Sequence, residues 1–159
     1  MAAHATASVL TVEDDPIVRA DLRLILEDAG FDVVPDARDG VEAVELARAH
    51  RPDLILIDLS LPGLDGVEAT RQILSERAVP IVALTGHRMG FVERALEAGA
   101  VAHVLKPFDD GQLVETLTGV LADRAEAEAE YQHQLIMIER MLRAGYSERE
   151  ISAAVEEGR

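Results

Sequence analysis

Apolar and polar residues fall into two kinds of block along the chain. Mostly apolar runs at 7–12, 31–34, 54–57, 80–84 and 101–105 are too short for buried helices and rich in β-branched residues. Each predicts a strand, and Leu54-Ile55-Leu56-Ile57 one covered on both faces, as in a parallel sheet. Between the runs, apolar residues recur at helical spacing. Ile17, Leu22, Ile25 and Leu26 form one set, Val41, Val44 and Leu46 a second, and Val67, Ile73 and Leu74 a third. A fourth helix spans 91–98, and a fifth begins at Asp109 with Leu113, Leu117, Val120 and Leu121 inward. Asp15 is placed to cap the first helix and Pro16 suits its first turn, while Gly30 and Gly99 stop two of the helices. Strand and helix alternate five times over short connections. The fold class is therefore α/β: a doubly wound, five-stranded parallel sheet with five flanking helices and right-handed crossovers.

Polar residues punctuate the strands where they end. Glu13 and Asp14 follow the first strand, Asp58 the third, Thr85 the fourth and Lys106 the fifth. In an open parallel sheet these ends share one edge, the edge at which ligands bind. Helix capping explains any one of these residues but not the whole set. Three carboxylates brought together repel unless a cation lies between them. Oxygen ligands without His or Cys suit a hard ion, above all Mg²⁺. A bound Mg²⁺ and Lys106 together would stabilise the oxygens of a phosphoryl group. Asp58 is then a candidate carboxylate nucleophile, with Thr85 a donor to a phosphoryl oxygen. A purely structural Lys106–Asp58 ion pair leaves Glu13 and Asp14 without a reason.

Composition narrows the classes. The chain has 159 residues, 48% of them hydrophobic, enough for one domain with a core and an appendage. It has no cysteine, so neither a disulfide framework nor a thiolate chemistry is open to it. No apolar run nears the ~20 residues of a membrane span, and the start lacks the marks of a signal peptide. The expectation is a soluble cytoplasmic protein. A net charge of −15 favours solubility and opposes attraction to nucleic acid or anionic membrane.

Val12-Glu13-Asp14-Asp15-Pro16, Asp58 followed by Pro62-Gly63 and Asp65-Gly66, Ala83-Leu84-Thr85-Gly86 and Lys106-Pro107-Phe108 together resemble the receiver domain of bacterial two-component response regulators. The resemblance covers the first three quarters of the chain. It implies a flavodoxin-like fold and transfer of a phosphoryl group from the phosphohistidine of a sensor histidine kinase or phosphotransfer protein to Asp58. It also implies Asp14, Asp58 and the Ser60 backbone carbonyl as Mg²⁺ ligands, with Glu13 acting through water. Thr85 corresponds to the switch hydroxyl and Lys106 to the phosphate-pairing lysine. Ser60 and His87 occupy positions that tune dephosphorylation. One position departs from the family: His103 stands where Tyr or Phe is usual. An imidazole is a smaller switch element that ionises near neutral pH, and the alternative is a surface histidine.

The helical signal continues past the usual end of a receiver, dividing the chain into a receiver at 1–122 and a helical extension at 123–159. Arg124 to Glu130 reads as a solvated helix, and Gly119 weakens the fifth helix without ending it. Tyr131, Leu135, Ile138 and Leu142 then form a short stripe at coiled-coil spacing, flanked by Ile136, Met137 and Met141. Gly145 ends that helix, and Ser147-Glu148-Arg149-Glu150 is a capping box opening a last one with Ile151, Ala154 and Val155. The expectation is a hairpin that buries its stripe against a second copy or a helical partner. Residues 141–151 are also similar to the first two helices of helix-turn-helix DNA-binding domains, so a transcription regulator with a reduced tail is an alternative. From Ala122 onward, nine acids against five arginines give net −4, which speaks against direct DNA binding. A phosphohydrolase is a third possibility. Such enzymes usually carry a general acid two residues after the nucleophilic aspartate, and Ser60 stands there.

Overall fold

Strands form at β1 (Ser8–Val12), β2 (Asp32–Val33), β3 (Leu54–Asp58), β4 (Ile81–Thr85) and β5 (Ala102–Leu105). The helices are α1 (Pro16–Asp28), α2 (Gly40–His50), α3 (Gly66–Glu76), α4 (Met89–Ala98), α5 (Asp110–Arg143) and α6 (Glu148–Glu157). These elements come from a computed structural model that describes residues 6–86 and 89–158. The chain divides into two compact units, Met1–Leu121 and Ala122–Arg159.

In the first unit all five strands run parallel, in the order β2-β1-β3-β4-β5. This is the flavodoxin-like arrangement, with its switch point where the order reverses, between β1 and β3. The alternation of side chains along the strands feeds three buried clusters, the two largest on opposite faces of the sheet. Val9, Leu54 and Leu56 pack with Leu22 and Leu26 of α1 and Leu113 and Leu117 of α5. Leu10, Val12, Ile55 and Ile57 pack with Ala43, Val44 and Ala47 of α2 and Ile73 of α3. Because both faces are covered, β3 and β4 carry no polar side chain before their last residues, Asp58 and Thr85.

Two local expectations need correction. Val41 does not face inward; it is exposed, and Leu46 is only partly buried. Asp39 Oδ1 accepts from Glu42 N at 2.8 Å, so α2 starts at Gly40 and presents Ala43, Val44 and Ala47 instead. The second strand is also shorter than the run 31–34: within that run only Asp32 and Val33 are in ladder register with β1, and Ala37 adds an isolated bridge to Val12 further on. Gly66 allows α3 to start against β3: a Cβ there would collide with the Asp58 carbonyl oxygen and the Leu59 Cα.

In the second unit α5 runs on to Arg143, with residues 122–133 all exposed. Gly145, at φ +88°, supplies the left-handed residue that closes the helix end, and Tyr146 N donates to Met141 O at 3.1 Å. Ser147 and Glu150 form the expected capping box on α6. The apolar stripe is split between two environments. Tyr131, Leu135 and Leu142 are exposed, whereas Met137, Ile138 and Met141 are half-buried and Ile151 is buried. Among the described residues no helix is long and apolar enough to cross a membrane.

Candidate functional site

The carboxyl edge of the sheet gathers the polar residues that interrupt the apolar pattern. β1 ends at Val12, so Glu13 and Asp14 emerge at its tip, and Asp58 is the last residue of β3 beside it. Glu13 is 1% exposed and Asp58 4%, while Asp14 is open to solvent. Carboxylate oxygens of Glu13, Asp14 and Asp58 all lie within 4.8 Å of one another. Lys106 reaches in from the end of β5, its Nζ donating to Glu13 Oε2 at 2.8 Å and to Asp58 Oδ2 at 2.9 Å. The peptide bond after it, Lys106–Pro107, is cis.

Each acid is held differently. Asp58 Oδ1 accepts from Ser60 N at 2.9 Å, which turns the chain sharply after β3. Glu13 Oε1 accepts from Asp15 N at 3.2 Å. Asp15 itself caps α1, accepting from Ile17 N at 2.9 Å and Val18 N at 3.4 Å. It is thus separated in role from the acidic pair before it.

The electrostatics follow from burial. Burial pushes the Glu13 carboxyl up to about 7, with Asp58 adding to the rise and Lys106 opposing it. Burial also works against the charge on Lys106, yet the two carboxylates hold its pKa above the ordinary lysine value. A site that raises one acid while fixing a lysine between two carries more negative charge than it can comfortably bury. A divalent cation relieves that. The donors are all oxygen, which fits Mg²⁺ rather than a softer ion.

The remaining expected residues are placed as follows. Thr85 ends β4 with its hydroxyl buried and donating to Gly86 O at 3.1 Å. Ser60 is exposed next to Asp58. His103 lies on β5 in register with Ala83 and is exposed; it is not among the residues that form the acidic cluster. His87 lies outside the described residues. Tyr131, Leu135, Ile138 and Leu142 belong to the second unit.

Sequence reasoning missed Arg19. Its Nη1 donates to Glu13 O at 2.9 Å and lies 3.5 Å from Asp14 O, so it holds the backbone that carries the acidic pair. An arginine one turn into an amphipathic helix reads as a solvated residue. Only its six-residue separation from Glu13 hinted at a reach back to the strand end.

Comparison with known proteins adds the lineage. The profile of the response regulator receiver domain matches residues 9–118. The transcriptional regulatory protein PdtaR of Mycobacterium tuberculosis is 44% identical over 110 residues, covering 69% of this chain and 54% of that protein. The polar-differentiation response regulator DivK of Brucella anthropi is 37% identical over 120 residues, covering 73% of this chain and 97% of that one. The chain thus spans about half the length of PdtaR but nearly all of DivK. Among solved structures, the receiver domain of a sensor histidine kinase from Pseudomonas aeruginosa PAO1 superposes with TM-score 0.69 at 37% identity, covering 74% of this chain and 99% of that one. That structure holds a magnesium ion coordinated in its active-site cleft.

Proposed function

Because the chain belongs to the response regulator receiver domain family, we propose that Asp58 accepts a phosphoryl group from the phosphohistidine of a sensor histidine kinase or phosphotransfer protein in the cytoplasm. An Asp58 carboxylate oxygen forms the new P–O bond as the P–N bond to the donor imidazole breaks. The imidazole nitrogen keeps the electron pair and takes up a proton. Asp14, Asp58 and the Ser60 carbonyl, with Glu13 behind, would hold Mg²⁺, which would supply positive charge to the phosphoryl oxygens. Lys106 supplies a second positive charge from the other side, already positioned 2.9 Å from Asp58. Thr85 leaves its bond to Gly86 O to donate to a phosphoryl oxygen, and His103 reports that movement on the outer face of β5. Ser60, small and exposed, leaves water a path to the phosphoryl group; His87 is assigned to the same tuning. The observation that supports this reading most strongly is the bridging of two buried carboxylates by one lysine, with a third acid in metal-ligand range.

Replacing Asp58 with Asn and incubating with a labelled phosphodonor tests it. Labelling should vanish in the variant and, in the parent chain, on chelation of Mg²⁺. Undiminished labelling in either case overturns the assignment.

The receiver at 1–122 carries the switch and the extension at 123–159 the output, through protein contacts rather than catalysis. Exposed Tyr131, Leu135 and Leu142 are the surface of the extension, with Ile138 behind them, and a second copy is the partner we favour. Light scattering on the full chain should give a dimer that Leu135→Lys with Leu142→Lys dissociates; a monomeric parent with or without beryllofluoride and Mg²⁺ rejects self-association. Salt-dependent binding of duplex DNA by the phosphorylated chain would instead favour the transcription-regulator alternative, and turnover of small phosphoesters the phosphohydrolase.

A further inference from the structure

We propose that Arg19 and Asp36 together set the position of the Glu13–Asp14 turn and, through it, the affinity of the acidic site for its divalent ion. The proposal rests on the reading of Glu13, Asp14 and Asp58 as a metal site.

Asp14 is the least restrained of the three acids. It is exposed, and among the described residues its carboxylate accepts no hydrogen bond, whereas Glu13 and Asp58 are each held by Lys106 and a backbone N–H. With no side-chain partner among the described residues, the Asp14 carboxylate can be placed near Asp58 only through where its backbone is held. That backbone is fixed from two sides. Glu13 N donates to Ala37 O at 3.0 Å, and Ala37 N donates back to Thr11 O at 2.9 Å. Opposite, Arg19 Nη1 donates to Glu13 O at 2.9 Å and approaches Asp14 O at 3.5 Å.

The guanidinium is itself held in place. The Arg19 side chain is 17% exposed, and its Nε lies 3.8 Å from Asp36 Oδ2. Arg23 flanks the same carboxylate oxygen at 3.6 Å and donates to Val33 O and Val34 O, which fastens Asp36 to the end of β2. Asp36 in turn immediately precedes Ala37, the partner of Glu13. The ring of contacts closes across α1, the tip of β1 and the segment after β2. A planar guanidinium suits this place because one edge can meet consecutive carbonyls while another faces a carboxylate; a lysine offers a single point of charge. Adjacent acids next to Asp58 repel one another, and without this clamp the turn can relax and carry Asp14 away from Asp58.

Arg19 is thus a positioning residue that touches neither the ion nor the phosphoryl group. The test is Mg²⁺ titration by calorimetry on the full chain, beside the melting temperature without Mg²⁺ and the phosphorylation rate as a function of Mg²⁺. Arg19→Met should weaken Mg²⁺ binding roughly tenfold, at the lower end of the effect of outer-shell partners of metal sites. The half-saturating Mg²⁺ concentration for phosphorylation should rise in step, with the limiting rate at saturation unchanged. Arg19→Lys should recover part of the affinity, and Asp36→Asn should weaken it in the same direction by less. A merely structural arginine would lower the melting temperature and leave the dissociation constant alone. Asp14→Asn separates the two levels. If it binds Mg²⁺ like the parent, the metal-site reading fails. If it loses Mg²⁺ while Arg19→Met and Asp36→Asn keep the parental affinity, the positioning role alone is overturned. Should Arg19→Met fail to fold, Arg19→Lys and Asp36→Asn decide the matter by the same measurement.

Discussion

In the sheet unit Leu54, Ile55, Leu56 and Ile57 are wholly buried, and the strands on either side supply their neighbours. In the tail Tyr131, Leu135, Ile136, Leu142 and Tyr146 remain 41–58% exposed, and Ile151 is the one buried side chain among the described residues after Leu121. Both units are helical or stranded with well-formed ends, so the contrast is not between order and its lack. It lies in where the stabilisation comes from. The sheet closes its core within the chain, whereas the tail helices are defined by local signals and leave much of their apolar surface exposed.

The widest expected gap between the two is in core truncation. Leu56→Ala, in the layer between the sheet, α1 and α5, should lower unfolding free energy by about 2–5 kcal/mol in urea denaturation. Leu135→Ala, at a site 41% exposed, should stay within about 0.5 kcal/mol in the monomer. A comparable loss at Leu135 would mean that its surface is already covered in solution.

Acidity sharpens the contrast next. The folded-state pKa of Glu13 is raised from 4.5 to about 7, so the folded chain holds that proton more tightly than the unfolded chain does. This stabilising contribution is full below pH 4.5 and is lost as pH rises through 7. The loss is about 3 kcal/mol at most. Denaturation of the Mg²⁺-free protein should show stability falling between pH 5 and pH 8, Glu13→Gln should flatten the profile, and Mg²⁺ should restore stability at the alkaline end. A flat parental profile would mean that Lys106 outweighs burial. Gly66→Ala should come after this, at about 1–3 kcal/mol, because its Cβ meets the Asp58 carbonyl and must push α3 off β3. Phosphorylation should slow along with it, since the displaced backbone carries Asp58.

These two units were not equally legible from sequence. The central strands β3 and β4 could be read because burial on both faces leaves continuous apolar runs, and Asp58 or Thr85 at their ends stands out against them; the two-residue β2, with Asp32 exposed, carries no such run. The helices were read less well. The spacing of Val41, Val44 and Leu46 suggests one inward face, but Asp39 sets where α2 starts, and Ala43 and Ala47 face the core beside Val44 while Val41 stays exposed. Arg19 was not found at all, because its task depends on Glu13 and Asp36, which the fold brings to it from other elements. In the tail the helices, the glycine stop at 145 and the capping box were all readable, being local. The stripe was harder, since spacing groups Ile138 with Leu135 and Leu142 whereas only Ile138 is half-buried.

The smallest expected effect probes whether the tail's local signals act locally. Ser147 N and Oγ both donate to Glu150 Oε2 at 2.8 Å, and Glu150 N donates back to Ser147 Oγ at 3.4 Å. Ser147→Ala removes the hydroxyl and should cost about 1 kcal/mol, as N-cap losses do. Faster amide exchange across Ile151–Glu157 is the expected signature, with exchange in Leu54–Asp58 unchanged. The same device has an acid limit. The backbone N–H and then the hydroxyl of Ser147 hold the Glu150 pKa below its ordinary 4.5. A depressed folded pKa means that the contribution is present above 4.5 and is lost as pH falls through the lower value, so α6 exchange should quicken there in the parent chain. Ser147→Ala should already exchange fast and show less of this dependence. If the substitution instead speeds exchange in β3, the tail is coupled to the sheet unit, and the division between a self-sufficient core and locally specified helices does not hold.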